Sequence, residues 1–166
     1  MVYPSFRHED LIIDWFKRSQ NEETRGFTVF DKFISLWFAF NSWGTYSTKK
    51  AKDWQMLNAV KKEPRLLTSY GKSITEDPEF LKAVKRLAEY KVLDMRPGHE
   101  TESRSIDDIG NFGQILDVIY LIRCNLFHGR KSEIDAHDKE LVELAYHILS
   151  RVFRPIIDEL ARGLSC

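Results

Sequence analysis

Cysteine is scarce in this chain. Cys124 and Cys166 are the only two; their spacing suits no metal, and two do not make a disulfide framework. Glycine is thin as well, with 8 in 166 residues. None falls in a phosphate-cradling loop of known spacing, so nucleotide hydrolysis has no support. Net charge is missing too, because 25 Lys and Arg balance 25 Asp and Glu. That excludes a broadly basic coat, and any RNA or DNA contact is expected to be local. No apolar run reaches membrane-spanning length, and the opening Met1-Val-Tyr-Pro-Ser-Phe-Arg-His-Glu-Asp10 has no signal-peptide core. The expectation is a soluble cytoplasmic protein without a membrane partner.

What is present is apolar residues at helical spacing. Hydrophobic residues make up 43% of the chain and charged ones 30%, enough for one domain over 1–166 with a sizeable core. Leu11, Ile12, Trp15 and Phe16 predict a helix over about His8 to Ser19. Phe30, Phe33, Trp37 and Phe40 predict another from about Thr28 to Trp43, stopping near Gly44. A third runs from about Ala51 to Lys62, before Pro64. A fourth spans about Asp77 to Tyr90, where Asp77-Pro78 supplies an N-cap and a proline at the first helical position. The polar stretch from Val92 to Asp108 reads as a long exposed loop. A fifth helix ends near Phe127, and a sixth covers Ser132 to Arg162, kinked at Pro155. No alternating strand pattern competes. The fold class expected is all-α, a single bundle of five or six helices.

The fifth helix carries the most informative segment: Ile115-Leu-Asp-Val-Ile-Tyr-Leu-Ile-Arg-Cys-Asn-Leu-Phe-His-Gly-Arg-Lys131. A guanidinium in so apolar a context is costly unless something anionic or hydrogen-bonding meets it. His128 is the side chain best suited to move protons near neutral pH. With Arg123 it makes a proton shuttle beside a fixed positive charge, the minimum for metal-free work on a phosphodiester. Ile115, Val118, Ile119, Ile122 and Leu126 form a core stripe. Phe112, Leu116, Tyr120 and Phe127 form a second apolar sector containing Arg123, so either the helix is central or that sector packs against another chain. On an ideal helix His128 lies about 140° around from Arg123; a left-handed Gly129 would end the helix and swing it back. The bland alternative stays open: Arg123 pairs with a carboxylate such as Asp117 of a neighbouring chain, and His128 favours the negative end of the helix dipole.

Other residues are candidates for support. Asn41 shares the face of Phe30, Phe33 and Trp37; it either orients Arg123 or His128 by hydrogen bonding or caps the helix near Gly44. Asn125 either binds substrate or braces the motif, or else has a plain helix-end role. Arg130 and Lys131 extend positive charge past the histidine and either steer phosphate or form a solvated turn. The clusters Lys49-Lys50-Ala-Lys52 and Lys61-Lys62-Glu-Pro-Arg65 are more in keeping with solvated faces than RNA guides. Asp135, His137, Asp138 and Glu140 sit at a helix start, where the dipole favours acids, so no metal site is expected there.

Arg123-Cys-Asn-Leu-Phe-His-Gly129 after an apolar helix resembles the signature of the HEPN superfamily, an arginine and a histidine separated by a short spacer. Phe33-Ile-Ser-Leu-Trp-Phe-Ala-Phe-Asn-Ser-Trp43 is similar to the aromatic helix with a Phe-Asn pair found in many such proteins. The two segments cover roughly a fifth of the chain. In one departure, Cys124 stands where many active members carry a polar residue, often asparagine. The resemblance implies a helical bundle that forms a homodimer and brings two Arg–His motifs into one cleft. It also implies a metal-independent, cofactor-free endoribonuclease with Arg123 and His128 catalytic, of the kind found in bacterial toxin–antitoxin, abortive-infection and CRISPR-linked defence systems, where an antitoxin is a possible partner. Other members are inactive and bind RNA, nucleotides or proteins.

Overall fold

A computed structural model describes residues 7–21, 26–129, 132 and 134–163. Among them the chain forms seven helices: α1 (His8–Ser19), α2 (Val29–Thr48), α3 (Asp53–Val60), α4 (Pro64–Glu76), α5 (Pro78–Ala88), α6 (Phe112–Phe127) and α7 (Ala136–Ala161). Between α5 and α6 lies a two-stranded antiparallel ribbon, β1 (Val92–Leu93) with β2 (Ser103–Arg104), in register Val92 to Arg104 and Leu93 to Ser103. The all-α class holds. One continuous core takes residues from all seven helices, among them Ile12, Phe33, Leu57, Leu66, Phe80, Ile119 and Phe153. The long α7 packs against α1, α2, α4, α5 and α6. It passes through Pro155 without ending. Among the described residues, no helix is long and apolar enough to cross a membrane.

Local chemistry explains most boundaries. Thr28 and Asp31 form a reciprocal capping box that opens α2. Asp77 accepts from the Phe80 amide with Pro78 at the first position, as the sequence predicts for α5. Asn111 and Asp135 cap α6 and α7 in the same way.

Three expectations are corrected. Five or six helices become seven, because Pro64 both ends α3 and opens α4; a proline is as well suited to a first helical position as to a helix stop. Leu66, Tyr70 and Ser73 form the buried side of that missed helix. Gly44 does not stop α2. It lies inside the helix where α3 crosses, and a Cβ there would fall 2.6 Å from Met56 Sδ. The helix ends instead at Lys49, left-handed at φ 56°. Finally, the supposed loop from Val92 to Asp108 contains the ribbon, held by pairing too short to leave an alternating pattern.

Candidate active site

The wide apolar surface of α6 is explained first by its central position. Phe112, Ile115, Leu116, Val118, Ile119, Leu121, Ile122, Cys124 and Asn125 are all buried. Toward solvent lie Tyr120, Arg123 and Phe127, the last 41% exposed, together with Gly113, Gln114, Asp117 and Leu126.

Arg123 is held mainly by aromatic rings. Its guanidinium carbon lies 4.5 Å from the Phe127 ring centroid, 5.6 Å from Trp37 and 5.8 Å from Tyr120, distances at which ring quadrupoles attract a cation. Among the described residues the only carboxylate paired with it is Asp53, with Nη1 to Oδ2 at 3.6 Å, too long for a good hydrogen bond. Asp117, whose counterpart in a neighbouring chain is the alternative partner, is paired with Lys61 of its own chain at 2.6 Å. Arg123 Nε is buried with no hydrogen-bond partner, and Nη1 lies 3.9 Å from the Cys124 thiol. A guanidinium offers five N–H donors, so most of this one's capacity is unused.

His128 follows the last turn of α6, with its amide donating to the Cys124 carbonyl. Gly129 is left-handed at φ 66°, as expected for the residue just outside the helix. The imidazole is exposed, and among the described residues it makes no hydrogen bond, to Arg123 or otherwise.

The supporting candidates fare differently. Asn125 is fully buried: its Nδ2 donates to the Leu93 carbonyl at 2.8 Å and its Oδ1 accepts from the Met95 amide at 2.9 Å. It ties α6 to β1 and the residue just beyond it, with both of its amide atoms engaged. Asn41 hydrogen-bonds neither Arg123 nor His128 and caps nothing, because α2 continues past it. Its Oδ1 is buried without a partner beside a shallow groove lined by Trp15 and Phe38. Arg130 and Lys131 lie outside the described residues. Lys61 and Arg65 are taken up in ion pairs with Asp117, Glu63 and Glu159, while Lys49 rests 4.2 Å over the Tyr46 ring. Asp135 caps α7 and Glu140 binds Arg86.

Some neighbours of Arg123 were invisible in the sequence. Asp53 also accepts a 3.4 Å hydrogen bond from the Tyr120 hydroxyl; burial, with the nearby Cys124 and Asp53, pushes that phenol's pKa up. An aromatic strip runs from Trp15 to Phe38 (4.9 Å) and on to Phe127 (6.0 Å), with Phe38 37% exposed. On the ribbon, Asp94 is buried against Arg96, whose guanidinium holds its carboxyl below the usual range. Asp94, His99 and Glu102 approach one another within 4.8 Å, but Asp94 is occupied by Arg96 and Glu102 by His99 at 3.0 Å. The Tyr120–Asp53 and Phe38–Phe127 pairs leave no sequence signal, since their partners meet only through tertiary packing, whereas Asp94–Arg96 and His99–Glu102 are local, two and three residues apart in the chain.

In comparisons with known proteins, the chain matches no family model, no curated protein and no solved structure.

Proposed function

We propose that this chain is a metal-independent endoribonuclease of the HEPN kind, acting as a homodimer in a bacterial toxin–antitoxin or phage-defence setting. The observation that carries the reading is Arg123. A part-buried cation flanked by three rings, with its carboxylate neighbour Asp53 standing off at 3.6 Å, is held in place for an incoming oxyanion. Planar guanidinium geometry suits the non-bridging oxygens of a phosphodiester.

In this mechanism the exposed His128 imidazole takes the proton of a ribose 2′-hydroxyl, and the 2′-oxygen attacks phosphorus. The bond to the 5′-oxygen breaks, and that oxygen receives a proton from a protonated histidine; two copies supply one histidine for each transfer. Arg123 holds the charge that builds on phosphorus. The products are a 2′,3′-cyclic phosphate, or its hydrolysis product, and a 5′-hydroxyl. DNA is untouched because it lacks the nucleophile. The strip of Trp15, Phe38 and Phe127 beside Arg123 favours a second copy at this face.

The test is incubation of labelled single-stranded RNA in EDTA. Wild type is expected to cleave it and to spare RNA that is 2′-deoxy at the scissile nucleotide. His128→Ala is expected to lose about a hundredfold or more. Arg123→Ala should lose a similar amount, and Arg123→Lys should recover little, because a point charge does not reproduce the fork. Full cleavage by folded His128→Ala ends the assignment. The second reading, a non-catalytic module binding RNA, nucleotide or a protein, is favoured by Cys124, a buried free thiol directly after the arginine. An inert wild type against varied RNAs selects it.

A further inference from the structure

The largest exposed aromatic surface near Arg123 belongs to no element of the mechanism above. Trp54, in the first turn of α3, is 61% exposed. It stands at a cleft of about 330 Å³, within the size range of small-ligand sites. One wall is the α3 stripe Trp54, Asn58 and Lys61, spaced to share a helix face. The other is Asp117, Tyr120 and Leu121 of α6, and the ribbon's Asp94, Arg96, Glu102, Ser103 and Arg104 close the end.

Most charged groups of this cleft are occupied. Lys61 meets Asp117 at 2.6 Å, Arg96 holds Asp94, and Glu102 is hydrogen-bonded to His99 at 3.0 Å. Arg104 is exposed and has no carboxylate partner among the described residues. A divalent cation is disfavoured, because it would have to displace the Arg96 guanidinium from Asp94. An unpaired arginine, an open indole face and the neutral hydrogen-bonding groups of Asn58 and Ser103 suit instead an anion with an aromatic base attached. The cleft is also coupled to Arg123. Tyr120 lines it while lying 5.8 Å from the guanidinium, and Asp53, next to Trp54, is the carboxylate that faces Arg123.

We infer that the cleft between α3, α6 and the ribbon is a nucleotide subsite for single-stranded RNA, with a base stacked on Trp54 and a phosphate at Arg104, beside the Arg123 site. The identity of the ligand rests on the ribonuclease reading; the geometry of the subsite does not. Trp54 supplies sequence-tolerant stacking, as single-strand binders require, and Asn58 and Ser103 are placed to meet polar groups of the base or ribose.

The test uses full-length protein and a short fluorescein-labelled 2′-O-methyl oligouridylate, which stacks but lacks the attacking hydroxyl. Trp54→Ala is expected to weaken binding by about fivefold to a hundredfold, in line with the loss of one stacked base, while Trp54→Phe stays near wild type. Arg104→Ala is expected to weaken binding and to lower the salt slope by about 0.7, one phosphate contact on a single strand. Lys82→Ala, on exposed α5, is the control and is expected to change nothing. Unchanged binding in both Trp54→Ala and Arg104→Ala, equal weakening by Lys82→Ala, or no binding by wild type overturns the subsite. Cleavage of ordinary RNA in EDTA is scored separately. Active wild type whose binding ignores Trp54 overturns the subsite alone, whereas Trp54-dependent binding without cleavage overturns the ribonuclease reading alone.

Discussion

Removing the Asn125 amide tests whether the residue after Cys124 is a brace or a substrate contact. Asn125 is fully buried and makes two backbone hydrogen bonds, at 2.8 Å to Leu93 of β1 and 2.9 Å from Met95 just after it. Each such bond contributes about 0.5–1.5 kcal/mol net. Leu93 and Met95 are 56% and 40% exposed, so water can reach their backbone groups after a small shift, and the full penalty of a stranded buried group does not apply. Asn125→Ala is therefore expected to cost about 2 kcal/mol. For a chain of this size that corresponds to a fall in Tm of roughly 4–8 °C. Asn125→Asp should be no better: a carboxylate still accepts from Met95 but sets a second oxygen against the Leu93 carbonyl. Urea unfolding followed by circular dichroism gives the stability, and amide hydrogen exchange at Met95 gives the local effect. Wild-type stability with unchanged protection at Met95 would refute the brace. Weakened RNA binding at an unchanged urea midpoint would restore Asn125 as a substrate contact.

Gly44→Ala pits helix propensity against overpacking: alanine gains about 1 kcal/mol in a helix interior, but its Cβ would meet Met56 Sδ at 2.6 Å, and overpacking costs about 1–3 kcal/mol. A net loss of roughly 1 kcal/mol in urea unfolding is expected, and a raised midpoint would show that Met56 steps aside freely. Asp94 has a folded-state pKa lowered chiefly by its hydrogen bonds from Arg96, so its contribution is complete above its unfolded value of about 3.9 and is lost as pH falls through the lower folded value. Stability should decline below about pH 4, and Asp94→Asn should make that acid limb shallower; an identical limb in the variant would refute the pairing. Light scattering at high concentration should show a dimer for wild type and a monomer for Phe127→Asp, which places a charge on the strip beside Arg123; a wild-type monomer would remove the shared cleft.

Apolar periodicity by itself determined the all-α class and located most helices, because burying one face of a helix needs residues about three or four apart and the chain has them nearly everywhere. The α1 bounds, the Asp77-Pro78 start of α5 and the turn at Gly129 follow from rules that act within a few residues. The same local rules were ambiguous at Pro64 and Gly44. Proline serves a helix start as well as a stop, and Gly44 is required by the close approach of Met56, which is 12 positions away in the chain. The motif residues Arg123 and His128 were also legible as residues, but their surroundings were not. That Asp53 faces Arg123, that Lys61 takes Asp117, that Asn125 turns inward to hold Leu93 and Met95, and that Trp54 opens onto a cleft beside Tyr120 were decided only when α2, α3, α6 and the ribbon packed together. Such partners are fixed by long-range contacts, which leave no period in the sequence, whereas helices are fixed by neighbours along the chain, which do.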